Sequence, residues 1–369
     1  MLTSVLLRRV FSGFLILFLA ASASPAATKD APSKARGTAA EALSAHERGD
    51  FVKARDIWQK LAEAGDSQAM NNLGVLYDQG KGLEQDTGRA VYWFEKAARA
   101  GHSAGMCNYG RMLESGRGVA ENPQEAAFWF DKAAREGQAE AQYNLGRLYE
   151  QGRGVEQDDK AAAVWYSRAA AQQQVEALAR LGHMHRMGQG VPKDVSRATL
   201  LLYAAAMNGH ARAIQELEEL FKEGAKRPPA MLFGQKLDDT DRTAMRAALR
   251  AAGLPVVRED DAFICDIYDV RRMISGAGEM AACYAPGKPS PLGFIKIDYA
   301  ASKVGVAKNI VQMLSSRFGE PSAAEGGDAH LWNLGSVLVA TQYVPTHKLL
   351  SLMYMVPRTY YLTRQEERP

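Results

Sequence analysis

The chain has 369 residues, 47% of them hydrophobic and 24% charged, with a formal net charge of +3. That is enough apolar material for two folded cores, and the charges are mixed along the chain, which points away from nucleic acid. Three cysteines permit one bridge and leave one thiol.

Arg8 and Arg9 precede an apolar run from Val10 to Ala21 and the small-residue stretch Ala21-Ser22-Ala23. This order reads as a signal peptide over residues 1–23. The run of about 12 residues is short of the roughly 20 that cross a bilayer, an uncleaved anchor being the alternative. No cysteine stands at the cleavage region, so a lipoprotein is not expected and the mature chain is expected to be periplasmic or secreted. Cleavage removes Arg8 and Arg9, leaving a net charge of +1 (3 − 2). Residues 24–38, rich in Ala, Lys and Pro, read as a disordered lead-in.

Residues 39–65 hold two apolar-periodic segments with a turn at Gly49 and Asp50. Beyond them Gly74, Gly110, Gly146 and Gly182 are separated by 36 residues each (110 − 74 = 36). Whole blocks recur with them, the first being AMNNLGVLYDQGKGLEQDTGRAVYWFEKAARAG. Two helical periods joined by a glycine-rich turn predict an antiparallel helix pair per block, with repeats at 66–101, 102–137, 138–173 and 174–209. Gly80, Gly116, Gly152 and Gly188 stand where the first helix stops, at a position that often needs positive φ. Asp86, Asn122, Asp158 and Asp194 are the expected caps of the second helix. Asn122, with Pro123 and Glu125, predicts a capping box. Trp93, Trp129 and Trp165, with Leu201 in the fourth copy, recur beside pairs such as Ala97 and Ala98, so large side chains face small ones. Carbohydrate stacking on these aromatics is the lesser reading against core packing.

These blocks resemble the Sel-like repeats, short helix-pair relatives of the tetratricopeptide repeat with the pattern A-x-x-x-L-G-x-x-Y-x-x-G-x-G-V-x-x-D-x-x-x-A-x-x-W-x-x-x-A-A-x-x-G. The match covers about residues 66–209, with departures at Leu83, Leu113, Gln173 and His185. Residues 39–65 look like a tetratricopeptide-like cap. The resemblance implies a right-handed α-superhelix whose concave side binds proteins, and it implies no catalytic activity. Some disulfide-rich secreted members of the family bind β-lactam compounds, but this chain lacks a cysteine pair in each repeat and that activity is not carried over.

The 36-residue register ends near Phe221, and Pro228 and Pro229 mark a joint. The α-solenoid of antiparallel helix pairs is thus expected over 39–225, followed by a smaller α+β domain over 226–369 with an antiparallel sheet. Downstream, a helix from Leu237 to Leu254 capped by Asp239 or Thr240 precedes three strand-like segments, and a helix from Ser302 to Phe318 precedes three more. The order suggests a tandem αβββ duplication. A turn near Ile274 places Cys265 opposite Cys283, either as a disulfide or as two small buried core residues. Cys107 is expected to be a free thiol buried in a helix.

No phosphate loop, dinucleotide fingerprint, nucleophile elbow or His-Glu-x-x-His motif is present in the sequence. His183 and His185 are two apart, which on a helix turns them away from each other, so no metal site or cofactor is expected. Asp238, Asp239 and Asp241 read as helix-start acids, and Glu259, Asp260 and Asp261 as a solvated loop. The candidate protein-binding residues are a first-helix ladder: Asn72, Asn108, Asn144 and Arg180, with Arg111, Arg147 and His183 one turn on. Amides there can hold a peptide backbone and the arginines its carboxylates. The competing reading is that the asparagines bond the neighbouring repeat and hold the stack together. The expected function is that of a non-catalytic adaptor or regulator that binds an envelope protein through the concave face of its repeats. The alternative makes the α+β domain the active module, as an inhibitor, ligand binder or cryptic hydrolase.

Overall fold

A computed structural model describes residues 33–224, 231–232, 234–259, 261, 265–271, 277–285, 290–300, 304–323, 329–334, 337–344, 349–356 and 359. The expected signal peptide lies outside these residues. The chain divides into two compact units, one built on the residues up to Ala177 with 189–191, the other on 178–188 and the chain from Pro192.

Eleven helices run in sequence among the described residues of the N-terminal half: α1 Ser33–Glu47, α2 Phe51–Glu63, α3 Ser67–Gln79, α4 Thr87–Arg99, α5 Ser103–Ser115, α6 Pro123–Arg135, α7 Ala139–Gln151, α8 Asp159–Ala171, α9 Val175–Met187, α10 Val195–Met207 and α11 Ala211–Gly224. Helix α1 begins inside the expected lead-in, because its alanine-rich composition favours helix. The expected caps hold: Asp86, Asn122, Asp158 and Asp194 each accept a first-turn backbone N–H. The capping box at Asn122 differs from expectation. The Asn122 backbone N–H donates to the Leu113 carbonyl at 2.8 Å, so Glu125 accepts from the Asn122 side-chain amide instead.

Three glycines per repeat have three different jobs. Gly80, Gly116 and Gly152 close the first helices in the left-handed region, with φ of 65°, 66° and 64°. Two residues on, Gly118 lies against the start of the preceding second helix, where an added Cβ would stand 2.4 Å from the Thr87 carbonyl oxygen. Gly82, Gly154 and Gly190 make the same approach to Phe51, Pro123 and Asp159. Within the first helices, Gly74, Gly110 and Gly146 lie under the rings of Phe94, Phe130 and Tyr166. The repeat period therefore records three close approaches of backbone, two within a repeat and one between repeats. Trp93, Trp129 and Trp165 are buried beside the alanine pairs, each contributing on the order of 2–3 kcal/mol by apolar burial. They are core, not a sugar platform.

The second unit carries an antiparallel sheet of eight described strands in the order β3-β4-β5-β6-β10-β9-β8-β7. These are β3 Val256–Arg258, β4 Cys265–Asp269, β5 Ala277–Tyr284, β6 Leu292–Ala300, β7 Ser322–Ala323, β8 Ala329–Asn333, β9 Leu338–Val344 and β10 Leu349–Met355. A separate hairpin pairs β1 Met231–Leu232 with β2 Gln235–Lys236. Helix α12, Arg242–Ala251, precedes β3, and α13, Val304–Phe318, precedes β7. Each half thus has a helix and four strands, one strand more than the alternation suggests, because β3 and β7 are too short to show a period. The halves meet where β6 pairs β10, with Ile297 opposite Leu352. The core of this sheet gathers Met245 and Leu249 of α12 with Tyr268, Ile295, Trp332 and Leu350.

Helix α12 is capped by Asp241, which accepts from Ala244 N–H, and not by Asp239 or Thr240. Leu237–Asp239 form a separate 3-10 turn before it. No helix among the described residues is long and apolar enough to cross a membrane.

Candidate protein-binding surface

The first-helix residues expected to face a partner are for the most part engaged with neighbouring repeats. Asn108 Nδ2 donates to Asn71 Oδ1 at 2.9 Å, one repeat back. Asn144 Nδ2 lies 3.8 Å from Cys107 Sγ, also one repeat back. Arg147 donates to Glu114 at 2.5 Å, and Arg153 of the following turn donates to the same carboxylate at 3.3 Å and to the Glu114 carbonyl at 2.8 Å. Arg117 repeats this one unit earlier, reaching Asp78 at 2.6 Å. His183 Nδ1 stands 2.9 Å from Glu216, and Arg180 is half-buried. Asn72 accepts from Gln68 on its own helix, and Arg111 reaches Glu140 at 3.1 Å with its side chain 51% exposed. An acid at the end of one first helix, held by an arginine from the next turn, is therefore a recurring rivet of the stack.

A different row faces outward. On the second helices, Trp93 and Ala97 point inward at i and i+4, so Tyr92 and Lys96 share the outer face. Tyr92 is 49% exposed, and its equivalents Phe128 and Val164 are each 52% exposed. One turn on, Lys96 Nζ lies 4.6 Å from the Tyr92 ring centroid and Lys132 Nζ 4.6 Å from that of Phe128. Arg168 stands 4.5 Å over Trp165. Each such contact is worth about 0.5–1 kcal/mol at an exposed site and holds the cation on the aromatic. Lys60 occupies the same place in the cap (96 − 60 = 36) and is exposed. Among the described residues, Lys60, Lys96, Lys132 and Arg168 have no carboxylate within ion-pairing distance, whereas Arg99 and Arg135, three residues after Lys96 and Lys132, are paired with Glu95 and Asp131. Beside this row, between α2 and α4, opens a cavity of about 610 Å³ lined by Gln59, Glu63, Met70, Tyr92, Trp93 and Lys96, among others.

The remaining candidates are structural. Cys107 is buried in α5, and burial pushes its thiol up to about 12. Cys265 pairs opposite Cys283 across β4 and β5 and is bonded to it. His185 is buried, which lowers its basicity, and no group of three metal-binding side chains exists among the described residues. Glu259, expected in a solvated loop, instead accepts from the Tyr268 hydroxyl at 2.7 Å and from Arg250. Asp266 is 0% exposed and takes paired hydrogen bonds from Arg242 and Arg246 at 2.6–3.2 Å. Burial opposes its charge, but the hydrogen bonds from Arg246 and Arg242 outweigh that and hold its carboxyl below the ordinary range.

Comparison with known proteins bears on the repeats. The family model described as the Sel1 repeat matches residues 44–66, 67–102, 103–138, 139–173 and 175–210. A Sel1 repeat protein from Oxalobacter formigenes is 33% identical, over 50% of this chain and 76% of that one, with a TM-score of 0.48. The protective antigen c5321 of uropathogenic Escherichia coli, which displays an SLR fold, is 29% identical over 52% of this chain, with a TM-score of 0.48. This chain spans 42% of that antigen's length. Cysteine rich protein B of Helicobacter pylori is 26% identical over 36% of this chain and 96% of its own, with a TM-score of 0.30. No curated protein matches the chain.

Proposed function

The chain belongs to the Sel1 repeat family through residues 44–210, and from that premise we propose that it is a non-catalytic adaptor or regulator that binds a protein of the cell envelope through its repeats. The observation that carries this reading is the exposed row Tyr92, Phe128 and Val164, which recurs in three successive repeats amid buried neighbours and stops at the buried Leu200 of the fourth. Large apolar side chains aligned on a surface mark interaction sites, since nothing in the fold requires their exposure. Arg8, Arg9 and the apolar run after them support export to the periplasm by a signal peptide over residues 1–23. In this reading residues 39–225 are the binding solenoid and 226–369 a smaller companion domain.

A second reading puts the partner on the first-helix face, through Asn72, Asn108, Arg111, Asn144, Arg147, Arg180 and His183. Arg111 favours it, because its guanidinium remains half exposed although paired with Glu140. Crosslinking the intact protein in living cells, followed by mass spectrometry of what co-purifies, tests both. Recovery of one envelope protein with crosslinks at Lys60, Lys96 or Lys132 supports the second-helix surface, and crosslinks near Arg111 support the other. Crosslinks confined to residues 226–369, or a partner set drawn from the cytoplasm, would overturn the adaptor reading and turn attention to the α+β domain.

A further inference from the structure

Resting on the adaptor reading, we propose that the second-helix face is the docking surface, and that its occupant is an acidic segment of a partner protein carrying an apolar anchor side chain. The cations come first. Lys60, Lys96, Lys132 and Arg168 occupy one position in four successive units, at 36-residue spacing (132 − 96 = 168 − 132 = 36). The neighbouring arginines at positions 99 and 135 are already neutralised within their own helices by Glu95 and Asp131. Among the described residues none of the four is within ion-pairing distance of a carboxylate, which leaves their charges available to a segment bearing Asp or Glu.

The apolar half of the surface is built into the same helices. Lys96 and Lys132 lie on the rings of Tyr92 and Phe128, so each step presents a flat aromatic edge and a positive head together. The cavity between α2 and α4 has Met70 and Trp93 in its lining, with Tyr92, Lys96 and Glu63 also bordering it. A leucine or aromatic side chain buries there against apolar surface while flanking carboxylates meet the cations. Burial of one such anchor, ringed by charges that fix its register, is how short segments gain both affinity and specificity.

Other occupants fit less well. Residues 24–38 of this chain carry Lys29, Lys34 and Arg36 against the single acid Asp30, so they repel the row. A second copy related by a two-fold axis would set like charges face to face. An anionic membrane would meet Glu63, Glu95 and Asp131 on the same face, which a protein segment can accommodate by spacing its own charges.

The test is selection of a displayed random peptide library on the intact protein, followed by fluorescence anisotropy of the recovered peptides. Expected peptides are rich in Asp and Glu around one leucine or aromatic residue. Their affinity should fall roughly tenfold or more in Lys96→Glu/Lys132→Glu, and similarly in Tyr92→Ser, while Arg111→Ala leaves it unchanged. Both changes lie on exposed positions, and circular dichroism melts check that the fold is kept. Recovery of basic or uncharged peptides, no enrichment at all, or acidic peptides indifferent to the charge reversal would overturn the proposal. So would dimerisation of the protein that Lys96→Glu/Lys132→Glu abolishes, or binding to phosphatidylglycerol vesicles in place of peptides. Loss of peptide binding in Arg111→Ala alone would sink this surface yet leave the adaptor reading standing, since that reading fails only through crosslinks elsewhere.

Discussion

Replacing Gly118 by Ala separates what the repeat glycines do for the backbone from what they do for the stack. Gly118 has φ +72°, and the added methyl would meet the Thr87 carbonyl oxygen at 2.4 Å and its carbon at 2.6 Å. The left-handed conformation alone costs a residue with a Cβ about 1–2 kcal/mol. Forcing a methyl into backbone that cannot yield adds about 1–3 kcal/mol. Gly137→Ala is the control: its φ is +90°, but nothing lies within 4 Å of the new methyl. Urea unfolding followed by tryptophan fluorescence reads the unit that holds Trp93, Trp129 and Trp165. Gly118→Ala should lose roughly 2–5 kcal/mol and Gly137→Ala roughly 1–2 kcal/mol. Equal losses would refute the claim that the second turn glycine exists for contact between repeats.

Three further outcomes follow from named contacts. Asp266→Asn removes the buried counter-charge of Arg242 and Arg246, leaving them only the exposed carboxylate of Asp261, and should destabilise the second unit by up to about 3 kcal/mol in urea titrations. Because the Asp266 carboxyl is held below its ordinary value of about 3.9, its contribution is full above that pH and is lost as pH falls through the folded value; acid unfolding of Asp266→Asn should show a shallower fall below about pH 4 than the parent does. Thiol titration without reductant should find no reactive group in the native protein and one after unfolding, Cys107, since the other two of the three cysteines are bonded (3 − 2 = 1). Three reactive thiols after unfolding would contradict the bond.

The repeat fold is written in the sequence because its constraints are local: a glycine at each helix stop, an Asp or Asn at each second-helix start, a tryptophan facing alanines. Those features depend on backbone geometry within one unit, and the 36-residue period repeats the signal. Contacts between units are another matter. Asn108 reaches Asn71, an offset of 37 rather than 36, and only the rotation of one helix pair on the next decides whether a polar ladder faces a groove or a neighbour. Glu114 looks in sequence like any solvated glutamate at a helix end, yet it lies between Arg147 and Arg153. Tyr92 and Phe128 adjoin the tryptophans that carry the repeat signal, and the 100° step between adjacent helical residues puts the tryptophan in and its neighbour out. In the α+β part, β3 and β7 are too short for any period, and Glu259 gains its partners, the exposed Arg250 and the buried Tyr268, from segments that only the folded domain brings together.

The most direct measurement compares in-cell crosslinking of the intact protein with that of its Tyr92→Ser/Phe128→Ser variant. Both side chains are about half exposed and hold Lys96 and Lys132 by cation–π contact, so the melting temperature should fall by several degrees with the fold kept, while recovery of the envelope partner is lost. Undiminished recovery of the same partner from the variant, with the fold kept, would contradict the claim that the repeats bind through this row.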